Sequence, residues 1–177
     1  MVDIVQKNSP ILRETARNVP LIEIALPKIQ KIIAEMKEAL NSQDDGVAIA
    51  APQIGIPLRI FVVSKKVEVL MKGIENIKEA ELKKIPDQIY INPEIKKLSK
   101  TKVRVDEGCL SVRYLYGKME RSEKASVTAY DENGKKFTRG GSGLLAQIFQ
   151  HETDHLNGIL FTDKADDIVE VLPKKNE

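Results

Sequence analysis

Only two histidines occur in the 177-residue chain, and they stand four residues apart, at His151 and His155. They frame His151-Glu152-Thr153-Asp154-His155, an HExxH sequence. On a helix, positions i and i+4 share one face about 6 Å apart. Two imidazoles there can converge on one ion, with the intervening Glu close to a water on that ion without being a ligand. The neighbouring residues call for that helix independently. Leu144, Leu145, Ile148, Phe149 and Leu156 form an apolar stripe at helical spacing. Gly140-Gly141-Ser142-Gly143 before it reads as a flexible break, and Gly158 after it reads as a left-handed stop.

Two histidines do not complete a catalytic metal site, which uses a third protein ligand and keeps one position open for water. Downstream, the chain offers Asp163, Asp166, Asp167 and Glu170; upstream it offers its sole thiol, Cys109. A lone cysteine is ordinarily a small buried hydrophobe. Here it follows Gly108 in Glu107-Gly108-Cys109-Leu110-Ser111, where glycine permits a tight backbone turn. One cysteine excludes an intramolecular disulfide and suits either a reducing compartment or a thiolate with a task.

The remaining chain alternates short strands and helices. Ser9 to Arg17 predicts a short helix capped by Ser9, and Pro27 opens a clearer one whose apolar positions are Ile29, Ile32, Ile33, Met36 and Leu40. Val47 to Gln53 reads as extended or loop, and Arg59 to Ser64 as a strand. Lys65 to Lys84 is charged, partly helical in pattern, and reads as a surface excursion. Gln88 to Ile95 and Lys102 to Asp106 are further strands. Lys124 to Tyr130 and Lys135 to Arg139 read as a hairpin turned by Asn133-Gly134. Residues after Leu172 are charged and expected to fray. No repeat or second domain is visible, so one domain is expected over 1–177, of α+β rather than doubly wound class. With aromatics at 5% and no Trp, the core is expected to rest mainly on Ile, Leu, Val and Ala.

A charge of +2, from 28 basic and 26 acidic residues, gives no reason to expect DNA or other nucleic acid as a partner. No stretch approaches the roughly 18 apolar residues of a membrane span. The N-terminus carries no long apolar segment of a secretory signal, so a cytoplasmic protein is expected.

Three segments resemble, in order, the signature motifs of peptide deformylases: Gly46-Val47-Ala48-Ile49-Ala50-Ala51-Pro52-Gln53, then Glu107 to Ser111, then Gln150 to Gly158. Pro10-Ile11-Leu12-Arg13, Ile91-Asn92-Pro93 and Leu160-Phe161 extend the similarity over nearly the whole chain. The resemblance implies an α+β fold with antiparallel strands surrounding a central HExxH helix. It implies removal of the formyl group from formyl-methionyl nascent polypeptides, with release of formate, at or near the ribosome. It makes Cys109, His151 and His155 the ligands of one divalent metal, usually Fe(II) in cells, with zinc, nickel or cobalt able to replace it. Such an ion lowers the pKa of bound water from about 15.7 toward 7. Glu152 then moves the proton, while the Gln53 side-chain amide and the Leu110 N–H stabilise the oxyanion. By the same resemblance, Gly46, Val47 and Ala48 pair with the substrate backbone, Leu144 and Ile148 are candidates for the methionine pocket, and Glu107 and Arg121 form an ion pair steadying the Cys109 turn.

The chain departs from the family pattern in places. Ala48 replaces a usual Gly and adds a methyl at a substrate-facing position. Arg113 stands where Pro is common, followed by Tyr114 and Tyr116, which are placed to line the cleft mouth. Gln147 replaces an apolar residue one turn before His151. Two other readings use the same residues: a zincin-type protease with a downstream acidic ligand such as Glu170, and a catalytically degenerate deformylase-like binding module. The second is disfavoured because Gln53, Cys109, Leu110, His151, Glu152 and His155 are all present.

Overall fold

The computed structural model describes residues 2–74 and 77–172. The first expected helix is only a 3-10 turn over Pro10–Arg13; the Ser9 side chain makes no cap, and the chain is extended again at Glu14. Pro27 does open a full helix, α1 (Pro27–Asn41), which buries Ile29, Ile32, Ile33, Met36 and Leu40 as the stripe predicts.

Eight strands follow among the described residues: β1 (Ala48–Ala50), β2 (Ile60–Val63), β3 (Gln88–Leu98), β4 (Lys102–Gly108), β5 (Leu115–Ser122), β6 (Lys124–Tyr130), β7 (Lys136–Ser142) and β8 (Asp166–Glu170). They form two sheets, ordered β1-β2-β3-β6-β7 and β4-β5-β8, with every pair antiparallel. Helices α2 (Lys65–Met71) and α3 (Glu79–Leu82) occupy the charged excursion after β2. Ser64 caps α2 by accepting the Lys66 N–H, and Val67 and Val69 bury its inner face. Residues 75–76 of that excursion, and the tail beyond Leu172, lie outside the described residues.

Four features differ from the sequence reading or add to it. Gly140, Gly141 and Ser142 are not a break: they pair with Ser126, Ala125 and Lys124 and extend β7, the ladder overriding the low strand propensity of glycine. The β6–β7 turn is built by Asp131, whose Oδ1 accepts the N–H groups of Asn133 and Lys135 at 2.9 Å, with Gly134 at φ 78°. Strand β5 escaped detection because its inward face carries Arg121 beside Gly117 and Met119, which hides the apolar alternation. Strand β8 escaped because every residue in it is exposed.

Helix α4 (Leu144–Leu156) lies against the first sheet and also contacts β5. It ends in a Schellman motif: Gly158 N–H donates to His155 O at 3.1 Å, and Ile159 N–H to Asp154 O at 2.9 Å. Aromatic residues are few, yet they hold the centre of the core. Phe61 stacks on Tyr90 at 4.5 Å between ring centroids, and Phe149 of α4 meets the Tyr90 edge at 5.4 Å. This contact clamps α4 to β2 and β3 and so fixes which of its faces points into the cleft. Helix α1 and Ile49, Ile60 and Ile91 build a second apolar cluster on the sheet's other face. No helix of the described residues is long and apolar enough to cross a membrane.

Candidate metal centre

The face of α4 opposite Phe149 carries His151 and His155, with imidazole centroids 4.9 Å apart. The β4 strand ends at Gly108, and the chain turns there to bring Cys109 over the helix. Cys109 Sγ lies 3.1 Å from His155 Nε2. The ligand atoms of Cys109, His151 and His155 all lie within 4.8 Å of one another, the one such group found among the described residues. That spacing is what a thiolate and two imidazoles show around a common ion with bonds of about 2.1–2.3 Å. The donor set is therefore compatible with a divalent metal.

The downstream acids are elsewhere. Asp163 pairs with Arg13, Asp167 pairs with Arg104, and Asp166 and Glu170 sit exposed on β8. None joins the group of ligand atoms, so the zincin arrangement with Glu170 as third ligand is not formed. Strand β8 pairs with the outer edge of β5, which carries Glu170 to the position opposite Leu115.

Charge around the site is organised by Glu107. Its carboxylate accepts both Arg121 Nε at 2.7 Å and Arg121 Nη2 at 2.9 Å, and it meets His151 Nδ1 at 3.0 Å. Bonding at Nδ1 leaves His151 Nε2 for an ion. Arg121 also reaches Asp154 at 2.6 Å, one turn along α4. Burial pushes Glu107 up, but its bonds to His151 and Arg121 outweigh this and hold it at about 2. Burial likewise pushes the Cys109 thiol up; the flanking imidazoles outweigh it and hold the thiol at about 5, so it is a thiolate at neutral pH. Glu152 behaves oppositely: burial raises its pKa. Its Oε2 has no hydrogen-bond partner among the described residues, although the side chain is only 3% exposed. A buried carboxylate oxygen left open beside a ligand set is placed to handle a proton.

Gln53 follows β1 in a 3-10 turn (Ala51–Ile54). Its Oε1 accepts the Ala50 N–H at 2.8 Å, which turns Nε2 toward Ser111 Oγ at 3.2 Å and Cys109 Sγ at 3.5 Å. A cleft of about 280 Å³ opens above these groups. It is lined by Gly46, Val47, Ala48, Gln53, Cys109, Leu110, Leu144, Gln147, Ile148, His151 and Glu152, and Tyr114 and Tyr116 stand at it as the sequence placed them. The Tyr116 ring lies over Gly108 so closely that a Cβ there would be 2.7 Å from Cε1. Gln147 Nε2 donates to Asp106 O at 2.8 Å, so its polarity ties α4 to β4.

Sequence reading missed three participants. Ser111, fully buried against Gln53, was visible inside the second motif. Asp154, the second acid on Arg121, was visible as the i+3 neighbour of His151. Arg113 forms a two-pronged ion pair with Asp45 at 2.7 and 3.2 Å across the cleft mouth, which no local pattern announces.

A helix-borne HExxH pair, a thiolate beside it and a buried carboxylate within the same cleft form a donor set able to hold a divalent metal. The model of the polypeptide deformylase family matches residues 1–170. Peptide deformylase 1A, chloroplastic, of Solanum lycopersicum is 40% identical over 165 residues, covering 93% of this chain and 59% of that protein. Peptide deformylase 2 of Clostridium acetobutylicum is 40% identical over 153 residues, 86% of this chain and 87% of that protein. Among solved structures, a Synechococcus elongatus peptide deformylase in complex with actinonin superposes with TM-score 0.76 at 30% identity, over 94% of this chain and 79% of that one. A Met-Ala-Ser-bound class I type b peptide deformylase from Acinetobacter baumannii gives 0.77 at 29% identity, over 92% and 97%. The chain belongs to the peptide deformylase family. It spans about three fifths of the length of the tomato relative and of the similar Arabidopsis thaliana protein.

Proposed function

We propose that this chain hydrolyses the N-terminal formamide of formyl-methionyl polypeptides, releasing formate and a free amino terminus. The observation that carries the reading is the buried Glu152 carboxylate, whose Oε2 has no hydrogen-bond partner among the described residues, beside the Cys109, His151 and His155 donors in an open cleft. Those three residues would hold a divalent ion, which would supply Lewis acidity and lower the pKa of a water toward neutral. Glu152, its pKa raised by burial, takes the water proton and later hands it to the departing amine. Gln53 Nε2 and the Leu110 N–H donate to the oxygen that becomes negative as the formyl carbon is attacked; losing one such donor typically costs about 3 kcal/mol of barrier.

Substrate alignment follows from β1. Among the described residues it is the edge of its sheet, paired only with β2. The Val47 carbonyl accepts the Ser64 N–H at 2.8 Å. By the alternation of an antiparallel ladder, the peptide groups of Ala48 then face away from β2 and are available to an incoming strand. Leu144 and Ile148, two turns and one turn before His151 and Glu152, offer the apolar wall for the methionine side chain. The tripeptide bound by the Acinetobacter relative has this kind of sequence, Met-Ala-Ser.

Fe(II) is the ion we assign in the cell, because a thiolate with two imidazoles suits it; zinc, nickel and cobalt fit the same donors. We place the reaction in the cytoplasm, on nascent chains close to the ribosome, with neither DNA nor a membrane as partner. The near-neutral charge balance supports the exclusion of DNA. One domain over 1–177 is part of the same proposal.

The test is formate release from formyl-Met-Ala-Ser by protein loaded with iron anaerobically, with Glu152→Gln as control. Formate from the wild type and a loss of at least about 10²-fold in the variant are expected. A metal-replete wild type that releases none refutes the reading.

A further inference from the structure

The N-terminal segment bonds both turns that carry the proposed oxyanion donors. Val5 N–H donates to the Gln53 carbonyl at 2.9 Å. One residue on, Gln6 Nε2 donates to the Leu110 carbonyl at 3.1 Å and to the Ile4 carbonyl at 3.2 Å. Gln6 Oε1 accepts the Arg113 N–H at 3.4 Å. Two consecutive residues therefore bridge the turn bearing Gln53 and the turn bearing Leu110, which are far apart in sequence.

We propose that Gln6 is a positioning residue for deformylation. Through the Leu110 carbonyl it fixes the direction of the Leu110 N–H, while Val5 beside it holds the Gln53 turn, so one strap sets the spacing of the two donors. This rests on the assignment of Gln53 and Leu110 as those donors.

The Cα of Leu110 joins two rigid planes. The plane containing its N–H also contains the Cys109 carbonyl, which accepts the Val112 N–H at 3.0 Å. The plane on its other side contains the Leu110 carbonyl, which Gln6 holds. The Cys109–Val112 bond is internal to this turn and fixes its shape, whereas Gln6, on the Leu110 carbonyl and the Arg113 N–H, ties the turn to the strap. Without Gln6 the turn keeps its shape but loses that tie, and the Leu110 N–H can tilt with it relative to Gln53.

The strap is laid down by packing. Val5 and Ile11 pack with Leu12, Val112 and Phe161 in an apolar cluster that also includes Cys109. Gln6 itself is exposed, so its amide contributes little to burial, and its carbonyl and amino ends both bond the Cys109–Arg113 turn. An exposed side chain that uses donor and acceptor on one functional loop affects the geometry of that loop more than global stability.

Gln6→Met keeps length and removes the amide. With formyl-Met-Ala-Ser as substrate, kcat is expected to fall about five- to tenfold, a fraction of the loss expected for removing a donor outright. KM, the Kd of Met-Ala-Ser and the bound metal per chain stay within about twofold, because none of them depends on the oxyanion. Gln6→Glu, which keeps the acceptor and sets an oxygen against the Leu110 carbonyl, should lose at least as much. In the double variant with Gln53→Ala the losses are less than additive, because the donors act on one oxygen. An unchanged kcat in Gln6→Met, with Gln53→Ala impaired, overturns the proposal. So does a kcat loss matched by lost metal or weakened Met-Ala-Ser binding, which marks a merely structural role. An unchanged kcat in Gln53→Ala instead removes the donor assignment beneath it.

Discussion

Replacing Arg121 with Met deletes one charge from a buried cluster of three. The Arg121 and Glu107 side chains are 7% and 2% exposed, and Arg121 supplies two of the three hydrogen bonds seen on the Glu107 carboxylate. In Arg121→Met, Glu107 keeps only His151, while Asp154, 17% exposed, keeps Lys164 at 3.6 Å and some water. Breaking a buried pair from one side costs about 3–5 kcal/mol, nearly all of it from the charge left behind. For a domain of this size that lowers Tm by about 6–20 °C. Because the penalty belongs to the stranded carboxylate, Arg121→Met combined with Glu107→Leu should recover most of it, although it removes more polar contacts. Metal affinity behaves differently. His151 Nδ1 loses its acceptor in the double variant, so affinity stays about 10–100-fold below wild type. The assay is thermal unfolding of metal-free proteins, which avoids stabilisation by bound ion, with a chelator competition for affinity. Stability losses that simply add in the double variant refute the stranded-charge account. Recovery of metal affinity alongside stability refutes the role given to the Glu107–His151 bond.

Other predictions follow from single positions. Gly158 has φ 74°, and a Cβ there would meet the Arg13 carbonyl oxygen at 2.6 Å; Gly158→Ala should cost at least about 2 kcal/mol, read as a lowered urea midpoint with unchanged m-value. The Glu107 pKa is depressed in the folded state, from 4.5 to about 2. Its contribution is therefore complete above the unfolded value and lost as pH falls toward 2, so wild type and Glu107→Gln, well separated at about pH 6, should converge in stability at about pH 2–3. In metal-free protein the Cys109 thiol sits at about 5 rather than 9; alkylation by iodoacetamide should show a midpoint near that value and be blocked by added metal, whereas a midpoint above about 8 contradicts the imidazole contacts. Ala48 is 7% exposed and belongs to the apolar cluster that includes Leu145 and Ile148. Ala48→Gly should lower stability by about 0.5–1 kcal/mol with kcat/KM within about twofold; a large rise in kcat/KM shows that the methyl obstructs substrate.

Much of this protein is written locally. The helical spacing of Leu145, Ile148, Phe149 and Leu156 predicts α4, and the i, i+4 geometry of that helix puts His151 and His155 on one face before any packing is considered. Helix α1 is equally legible, because Pro27 and a regular apolar stripe act within a few residues of each other. Strands β5 and β8 are not. The β5 interior holds Arg121, whose burial makes sense only once Glu107 and Asp154 are beside it, and β8 has no buried residue to mark it. Folding likewise brings Cys109, and not the downstream acids, within 4.8 Å of the two imidazoles. Glu170 belongs to a strand that pairs at the sheet edge, while the β4 turn delivers Cys109 to the helix. The sequence by itself determined which donors exist and which two share a face, because helix periodicity is a short-range property. Tertiary structure decided which thiol or carboxylate lies beside them, which oxygen of Glu152 is left open, and that Val5 and Gln6 reach both donor turns. Those outcomes depend on contacts between residues tens to more than a hundred positions apart, and no local pattern encodes such distances.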